Sequence, residues 1–275
     1  MNNILIKILC GLFIVTTINS DAIASSQDTT ILLANNNIST PASVKIIKVA
    51  NIVYPESFEE DKQQYIDYVQ KFSNKKRDYL IRTYQRGKKY FPKVAVVLKS
   101  YHLPEELKVL IALESAFNPN AVSGAGAVGY WQIMDEVAKE YGLQIVDKKN
   151  ASNPKNKKKD DRKNFTKSTL AAAKYLRDRC KNLNNDLLLI VASYNWGVGN
   201  VWQAMKKTGK SNPDFWDIKK HLPLETRNYV MNFIALNVIF ENYDNFVKNK
   251  LVFNSESIEV PVSENAIKLN PSTTD

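Results

Sequence analysis

Apolar positions recur three and four apart along nearly the whole chain from Phe58 onward, and that period predicts a succession of amphipathic helices. Tyr65, Val69 and Phe72 form one group, Tyr79, Ile81 and Tyr84 a second, and Val94, Val97 and Leu98 a third. Residues 103–115 read as the next helix. Pro104 suits a first turn, Glu105 and Glu106 favour the positive end of the dipole, and Leu107, Leu110 and Ile111 share a face. A Gly-rich loop over 118–129 leads to a short helix over 131–141, and a basic loop through Lys159 leads to a helix over 169–183. Further helices are expected over 187–194 and 200–207, with a turn at Gly197 and Gly199 between them. A last long helix follows Pro223, with Val230, Phe233, Ile234 and Val238 on its apolar side. No set of strands suggests a parallel sheet. The fold class is all-α, with room for a small β element in the Gly-rich loop and one extended segment at residues 258–262.

One position breaks the helical pattern. Glu114 follows Leu107, Leu110 and Ile111 at i+7, i+4 and i+3, so a carboxylate occupies the face that should bury apolar side chains. Apolar walls disfavour the charged form and raise the pKa, which suits a general acid working near neutral pH. Taken alone, such a Glu more often turns to solvent or meets a Lys, because charged residues are rarely buried unpaired.

The two ends differ in composition from the helical middle. Lys7 precedes the apolar run of residues 8–15, and Ala22-Ile-Ala24 supplies a small-x-small cleavage site, so residues 1–24 read as an export signal. Cys10 lies inside the apolar run after Leu9 instead of following a small residue, which favours simple cleavage near Ala24 over lipidation. Residues 25–55, rich in Ser, Thr, Asn and Ala at their start, read as a flexible leader, and residues 246–275 as a C-terminal tail. The expected location is therefore the periplasm or cell envelope.

Composition removes several kinds of chemistry. Cleavage at Ala24 leaves Cys180 as the sole cysteine, so no intramolecular disulfide forms, and Leu176, Cys180 and Leu183 share a helical face that should bury the thiol. His102 and His221 are the only histidines, too few for a multi-histidine metal site, and no cysteine cluster exists. No metal and no cofactor are expected. The formal net charge of +10 points to an anionic surface or polymer as partner. The densest basic run, Lys155-Asn-Lys-Lys-Lys159, has no interleaved aromatics and reads as a solvated loop, so nucleic acid is not the expected partner.

Four separated segments concentrate glycine and polar-aromatic residues: Leu113-Glu-Ser-Ala-Phe-Asn-Pro-Asn120, Ser123-Gly-Ala-Gly-Ala-Val-Gly-Tyr-Trp-Gln-Ile-Met134, Ser193-Tyr-Asn-Trp-Gly-Val-Gly-Asn200 and Pro223-Leu-Glu-Thr-Arg-Asn-Tyr-Val230. Singly, each fits a tight turn, a cap or core packing. Together and in this order, they resemble the lytic transglycosylases of the soluble-lytic-transglycosylase, goose-lysozyme-like fold, the membrane-bound D type above all. Glu114-Ser115, Gly129-Tyr-Trp-Gln-Ile-Met134 and Tyr194-Asn-Trp-Gly197 carry the resemblance, which spans roughly residues 75–243.

The resemblance implies a lysozyme-like catalytic domain over 101–245, with residues 56–100 as a helical N-terminal extension packed on it. It implies an enzyme that cleaves the β-1,4 bond between N-acetylmuramic acid and N-acetylglucosamine in peptidoglycan and leaves 1,6-anhydromuramoyl ends. Glu114 would act first as acid and then as base. Ser123 would help position the substrate N-acetyl group or a water, Gln132 and Met134 would line the sugar cleft, and Tyr194 and Asn195 would border the acid. Tyr229 would place its hydroxyl near Glu114. Trp196, Tyr130 and Asp135 depart from the common form of the family, the first two changing the bulk of the cleft and Asp135 adding charge near its rim. A hydrolytic muramidase and a non-catalytic peptidoglycan-binding protein are the alternatives. Association with the envelope surface fits the charge, and the oligomeric state is not legible.

Overall fold

The structure is a computed structural model that describes residues 32–33, 43–145 and 160–261. The expected export signal, Cys10, much of the leader, the Lys155–Lys159 run and the tail beyond residue 261 lie outside these residues. The chain divides into two units, one comprising residues 49–256 and the other the segments on either side. The described part of the second unit is a three-stranded sheet, β1 (Leu32–Leu33), β2 (Ser43–Lys48) and β3 (Glu256–Pro261), in that order. β1 and β2 are antiparallel, with Leu32 opposite Ile46 and Leu33 opposite Lys45. Part of the segment expected as a structureless leader is thus a strand, while β3 covers the extended segment expected near residue 258.

Residues 49–256 are helical. In chain order the helices are α1 (Lys62–Lys75), α2 (Arg77–Gly87), α3 (Phe91–Ser100), α4 (Leu110–Ser115), α5 (Asp135–Glu140), α6 (Phe165–Asn182), α7 (Leu187–Trp196), α8 (Val198–Lys206), α9 (Phe215–Ile218), α10 (Leu224–Glu241) and α11 (Tyr243–Val247). Asn164 caps α6 and Asp186 caps α7, each side chain accepting from a backbone N–H three residues on, while Asp214 and Asp217 form a reciprocal capping box on α9. Among the described residues no helix is long and apolar enough to cross a membrane.

Helix α10 is the axis of the unit. Every residue from Phe233 to Phe240 is buried, so the helix is apolar nearly all round and is covered on several sides. It packs against α1, α7 and α4. The first three helices are therefore one body with the rest of the unit: Tyr65, Val69, Leu80, Val94 and Leu98 join the same core as Leu110, Trp131 and Ile234.

Two elements differ from the expected helices, each for a local reason. Residues Glu105–Val109 are a 3-10 turn, and the α-helical hydrogen bonding begins only at Leu110. Residues 131–134, expected as helix, form a turn instead. Gln132 has φ 47° and Ile133 pairs with Val128, so the helix starts at Asp135. The paired bridges Val122–Val128 and Val128–Ile133 are the small β element of the Gly-rich loop.

Candidate active site

The site is assembled around the C-terminal end of α4. Leu107, Leu110 and Ile111 are fully buried, and each contributes on the order of 2 kcal/mol of apolar burial that fixes this short element against α10. Their face carries Glu114 inward. The helix then ends abruptly, with Ala116 at φ 46° and Phe117 at φ 63°. Two consecutive non-glycine residues in the left-handed region cost roughly 1–2 kcal/mol each. Burial of Phe117 offsets that cost: its ring stacks on Tyr90 at 5.2 Å and meets Phe91 edge-on at 5.3 Å. Ser115 turns its hydroxyl to the Tyr130 carbonyl at 2.8 Å, pinning the helix end to the Gly-rich loop.

Glu114 is half-buried, open enough for a ligand to reach yet largely walled from water. Burial pushes its pKa from the ordinary 4.5 up to about 7, while a hydrogen bond from Tyr229 acts in the opposite direction. The Tyr229 hydroxyl donates to Glu114 Oε1 at 2.5 Å, which leaves Oε2 as the oxygen available to carry a proton. Tyr194 also feels the Glu114 charge, and its hydroxyl donates to the Trp131 carbonyl at 2.8 Å. Burial and the nearby carboxylate hold both phenols well above their usual pKa, so they remain donors at any physiological pH. Among the described residues no other carboxylate perturbs Glu114, and Glu225 stands exposed in the first turn of α10.

A cavity of about 240 Å³ is lined by Gln132, Met134, Tyr175, Tyr194, Asn195 and Gly197, among others; Glu114 is not in its wall and is linked to it through Tyr194, which feels the Glu114 charge. Gln132 donates from Nε2 to the carbonyls of Gly129 (2.9 Å) and Ala121 (3.2 Å), so its amide locks the loop and leaves its oxygen as an acceptor. Met134 is exposed at the start of α5. Asn195 Oδ1 accepts from Thr226 at 2.8 Å, which ties α7 to α10 behind the cavity. Ser123 behaves differently. Its hydroxyl accepts from the Ala127 N–H at 3.0 Å and its carbonyl accepts from Gly126, so it shapes the loop from within its own turn. A larger hollow of about 690 Å³ beside Tyr54, Tyr84 and Asn237 contains none of these residues.

The departures from the family pattern resolve into packing. Tyr130 is buried against Tyr90 and Phe165 and does not line the cavity, so its bulk serves the core. Trp131 is also fully buried, its indole N–H donating to Thr169 at 3.0 Å, and Trp196 packs half-buried on the core. Trp202 is 42% exposed and donates to the Asn182 carbonyl. Asp135 pairs with Arg162, so its charge is compensated at the rim. Cys180 is buried and its thiol pKa is raised by that burial.

Two residues escaped the sequence reading. Arg162, 4% exposed, makes a two-pronged pair with Asp160 (Nε–Oδ1 3.0 Å, Nη2–Oδ2 2.7 Å) and donates to the Ile133 carbonyl at 3.2 Å. Its backbone runs under Gly129: a Cβ there would lie 2.1 Å from the Arg162 carbonyl, and φ is +83°, so only glycine fits. Tyr175 contributes a wall of the cavity and meets the Tyr194 ring edge-on at 5.5 Å. Among the described residues no group of three or more His, Cys, Asp or Glu is placed to hold a metal ion.

An acid with a pKa near 7, a fixed donor on one oxygen and a link through Tyr194 to a cavity with polar and apolar walls can deliver a proton to a bound ether oxygen and take one back. Comparison with known proteins meets this geometry. The profile of the Transglycosylase SLT domain family matches residues 95–216. The chain is 36% identical over 186 residues to membrane-bound lytic murein transglycosylase D of Escherichia coli (strain K12), covering 66% of this chain and 36% of that protein. It is 33% identical over 126 residues to membrane-bound lytic murein transglycosylase F of Shewanella loihica, covering 42% of this chain and 23% of that protein. The chain thus spans about a third of the first of these relatives. Among solved structures, it is similar to an inactive mutant of lytic transglycosylase Slt from Pseudomonas aeruginosa (TM-score 0.41, 23% identity, 68% of this chain, 29% of that one). It is also similar to the 70 kDa soluble lytic transglycosylase of Escherichia coli (TM-score 0.42, 22% identity, 54% of this chain, 24% of that one). The likeness to transglycosylase SLT domains thus covers residues 95–216, the stretch that holds Glu114, Gln132, Met134, Tyr194 and Asn195.

Proposed function

We propose that the protein is a peptidoglycan lytic transglycosylase in which Glu114 alone acts as acid and then as base. The observation that carries this reading is the Glu114 carboxyl itself, raised to about 7 by burial and held at one oxygen by Tyr229. Protonated Oε2 gives its proton to the oxygen of the β-1,4 bond between N-acetylmuramic acid and N-acetylglucosamine as the bond to C1 breaks. The resulting carboxylate removes a proton from the muramoyl C6 hydroxyl, whose oxygen closes on C1 to form the 1,6-anhydro end. Charge at C1 is stabilised in between by the substrate's own N-acetyl group, so a second enzyme carboxylate is dispensable. The lack of any other carboxylate acting on Glu114 among the described residues supports this economy.

In this reading Gln132 and Met134 line the sugar cleft, Tyr194 and Asn195 border the acid, Ser123 holds the loop that positions the N-acetyl group, and Tyr229 orients the carboxyl. Residues 101–245 would be the catalytic domain and 56–100 a helical extension stabilising it. No cofactor or nucleic acid is required. Residues 1–24 would direct export to the periplasm or envelope, where two relatives named as membrane-bound murein transglycosylases offer a parallel.

Digestion of purified peptidoglycan in ¹⁸O-labelled water tests the reaction class. A lyase product carries no label, because no water enters; a labelled reducing muramic end would establish hydrolysis instead.

A further inference from the structure

At the junction of α2 and α3 lies a concavity of about 520 Å³ lined by Arg82, Gln85, Arg86, Lys88, Lys89, Tyr90 and Phe117, all but Phe117 outside the segment that matches the family. Four of these residues are cationic and none is acidic. Among the described residues the four make no ion pair, although seven such pairs exist elsewhere. All four are exposed. Arg82 and Arg86 stand four apart on one face of α2, where two guanidinium forks can address one anionic group from adjacent turns. A cation over the last turn suits the helix dipole, but that accounts for one or two charges and not for Lys88 and Lys89 beyond it. Crowded like charge without compensation is costly unless an anion is shared.

The position of the hollow narrows the anion. Lys89 Nζ sits 4.9 Å from the Tyr90 ring, which stacks at 5.2 Å on Phe117, three residues beyond Glu114. Three residues of chain span at most about 11 Å, so one wall of the basic hollow is within that reach of the acid's backbone. A peptide of four residues attached to the cleaved sugar spans roughly 13 Å when extended, more than that upper bound. The aromatic floor accommodates aliphatic stem atoms, while the rim carries charge suited to stem carboxylates.

We infer that this hollow is a subsite for the carboxylates of the peptide stem borne by the muramoyl residue at the cleavage point. The inference rests on the proposed transglycosylase reading and deepens it: stem charge, and not sugar contacts alone, sets which glycans are cut.

The test compares wild type with Arg82→Gln/Arg86→Gln and Arg82→Lys/Arg86→Lys on two glycans, one bearing peptide stems and one stripped by an amidase. The Gln variant should lose at least tenfold in kcat/KM on the stem-bearing glycan and nothing on the stripped one, with the Lys variant restoring most of the loss. An equal fall on both glycans, or no change on either, would overturn the stem assignment while leaving the activity intact. Loss of binding to anionic phospholipid vesicles with unchanged stem selectivity would overturn it in favour of a membrane surface. Wild type inert on both glycans would instead remove the proposed activity, and the subsite with it.

Discussion

The Tyr229 hydroxyl reaches Glu114 Oε1 at 2.5 Å across 115 residues of sequence, joining the first turns of α10 to the last turn of α4. This bond stabilises the carboxylate and opposes the burial that raises its pKa. Replacing Tyr229 by Phe should therefore raise the Glu114 pKa further. A hydrogen bond to a charged group is worth roughly 1.5–3 kcal/mol, which corresponds to about one to two pH units. The alkaline limb of the pH–kcat/KM profile should move up by that amount while the rate at neutral pH falls, since the carboxyl loses its orientation. A profile that drops without shifting would mean that Tyr229 does not bear on the proton.

Glu114 also makes stability depend on pH, and the sign follows from the direction of the shift. With a folded-state value of about 7 against 4.5, the folded protein retains a proton that the unfolded chain has released, so this contribution is present in acid and is lost as pH rises through about 7. Glu114→Gln removes the titration. The variant should match wild type in stability below about pH 4.5 and exceed it at pH 8 by about 2 kcal/mol, allowing for the partial exposure of the group. Thermal unfolding at the two pH values checks this; equal Tm differences at both would show that Glu114 is not held neutral.

The Gly129 site separates close approach from backbone conformation. Gly129→Ala combines φ +83° with a contact of 2.1 Å to a backbone carbonyl that cannot swing away, whereas Gly197→Ala has φ +85° and nothing within 4 Å. The first should cost at least about 3 kcal/mol and abolish activity by displacing the loop that holds Gln132. The second should cost on the order of 1 kcal/mol. Comparable losses in denaturant unfolding would argue that Arg162 does not lie beneath the loop.

Arg162→Met tests the buried charge cluster. It strands Asp160, 11% exposed, without its two-pronged partner and removes the donor to the Ile133 carbonyl. Breaking a buried pair in this way costs roughly 3–5 kcal/mol. Double replacement with Asp160→Leu should recover part of the loss, and failure to recover any would place the role of Arg162 elsewhere.

The helical architecture was legible because burial in an all-α unit writes itself as a three- and four-residue period, and Leu107, Leu110 and Ile111 are buried as that period requires. Glu114 stood out for the same reason, as a charge inside the period. Arg162 did not, because hydrophobic patterning reads Asp160-Asp-Arg162 as solvated loop. Its burial depends on pairs with Asp160, two residues away, and with Asp135, which only the folded chain brings alongside. Strand β2 was missed because its partners come from other segments, β3 lying more than 200 residues further along. The turn at residues 131–134 escaped because Gln132 adopts a left-handed conformation that favours glycine, stabilised by its own amide bonds to Ala121 and Gly129.

In the proposed reaction one carboxyl, Glu114, does both proton transfers and the sugar supplies its own nucleophile. Mass spectrometry of soluble products from purified peptidoglycan, digested by wild type and by Glu114→Gln side by side, addresses it directly. Wild type should release fragments ending in 1,6-anhydromuramic acid, and the folded Glu114→Gln protein should release none. Anhydro products from the Gln variant, or reducing muramic ends from wild type, would contradict the account.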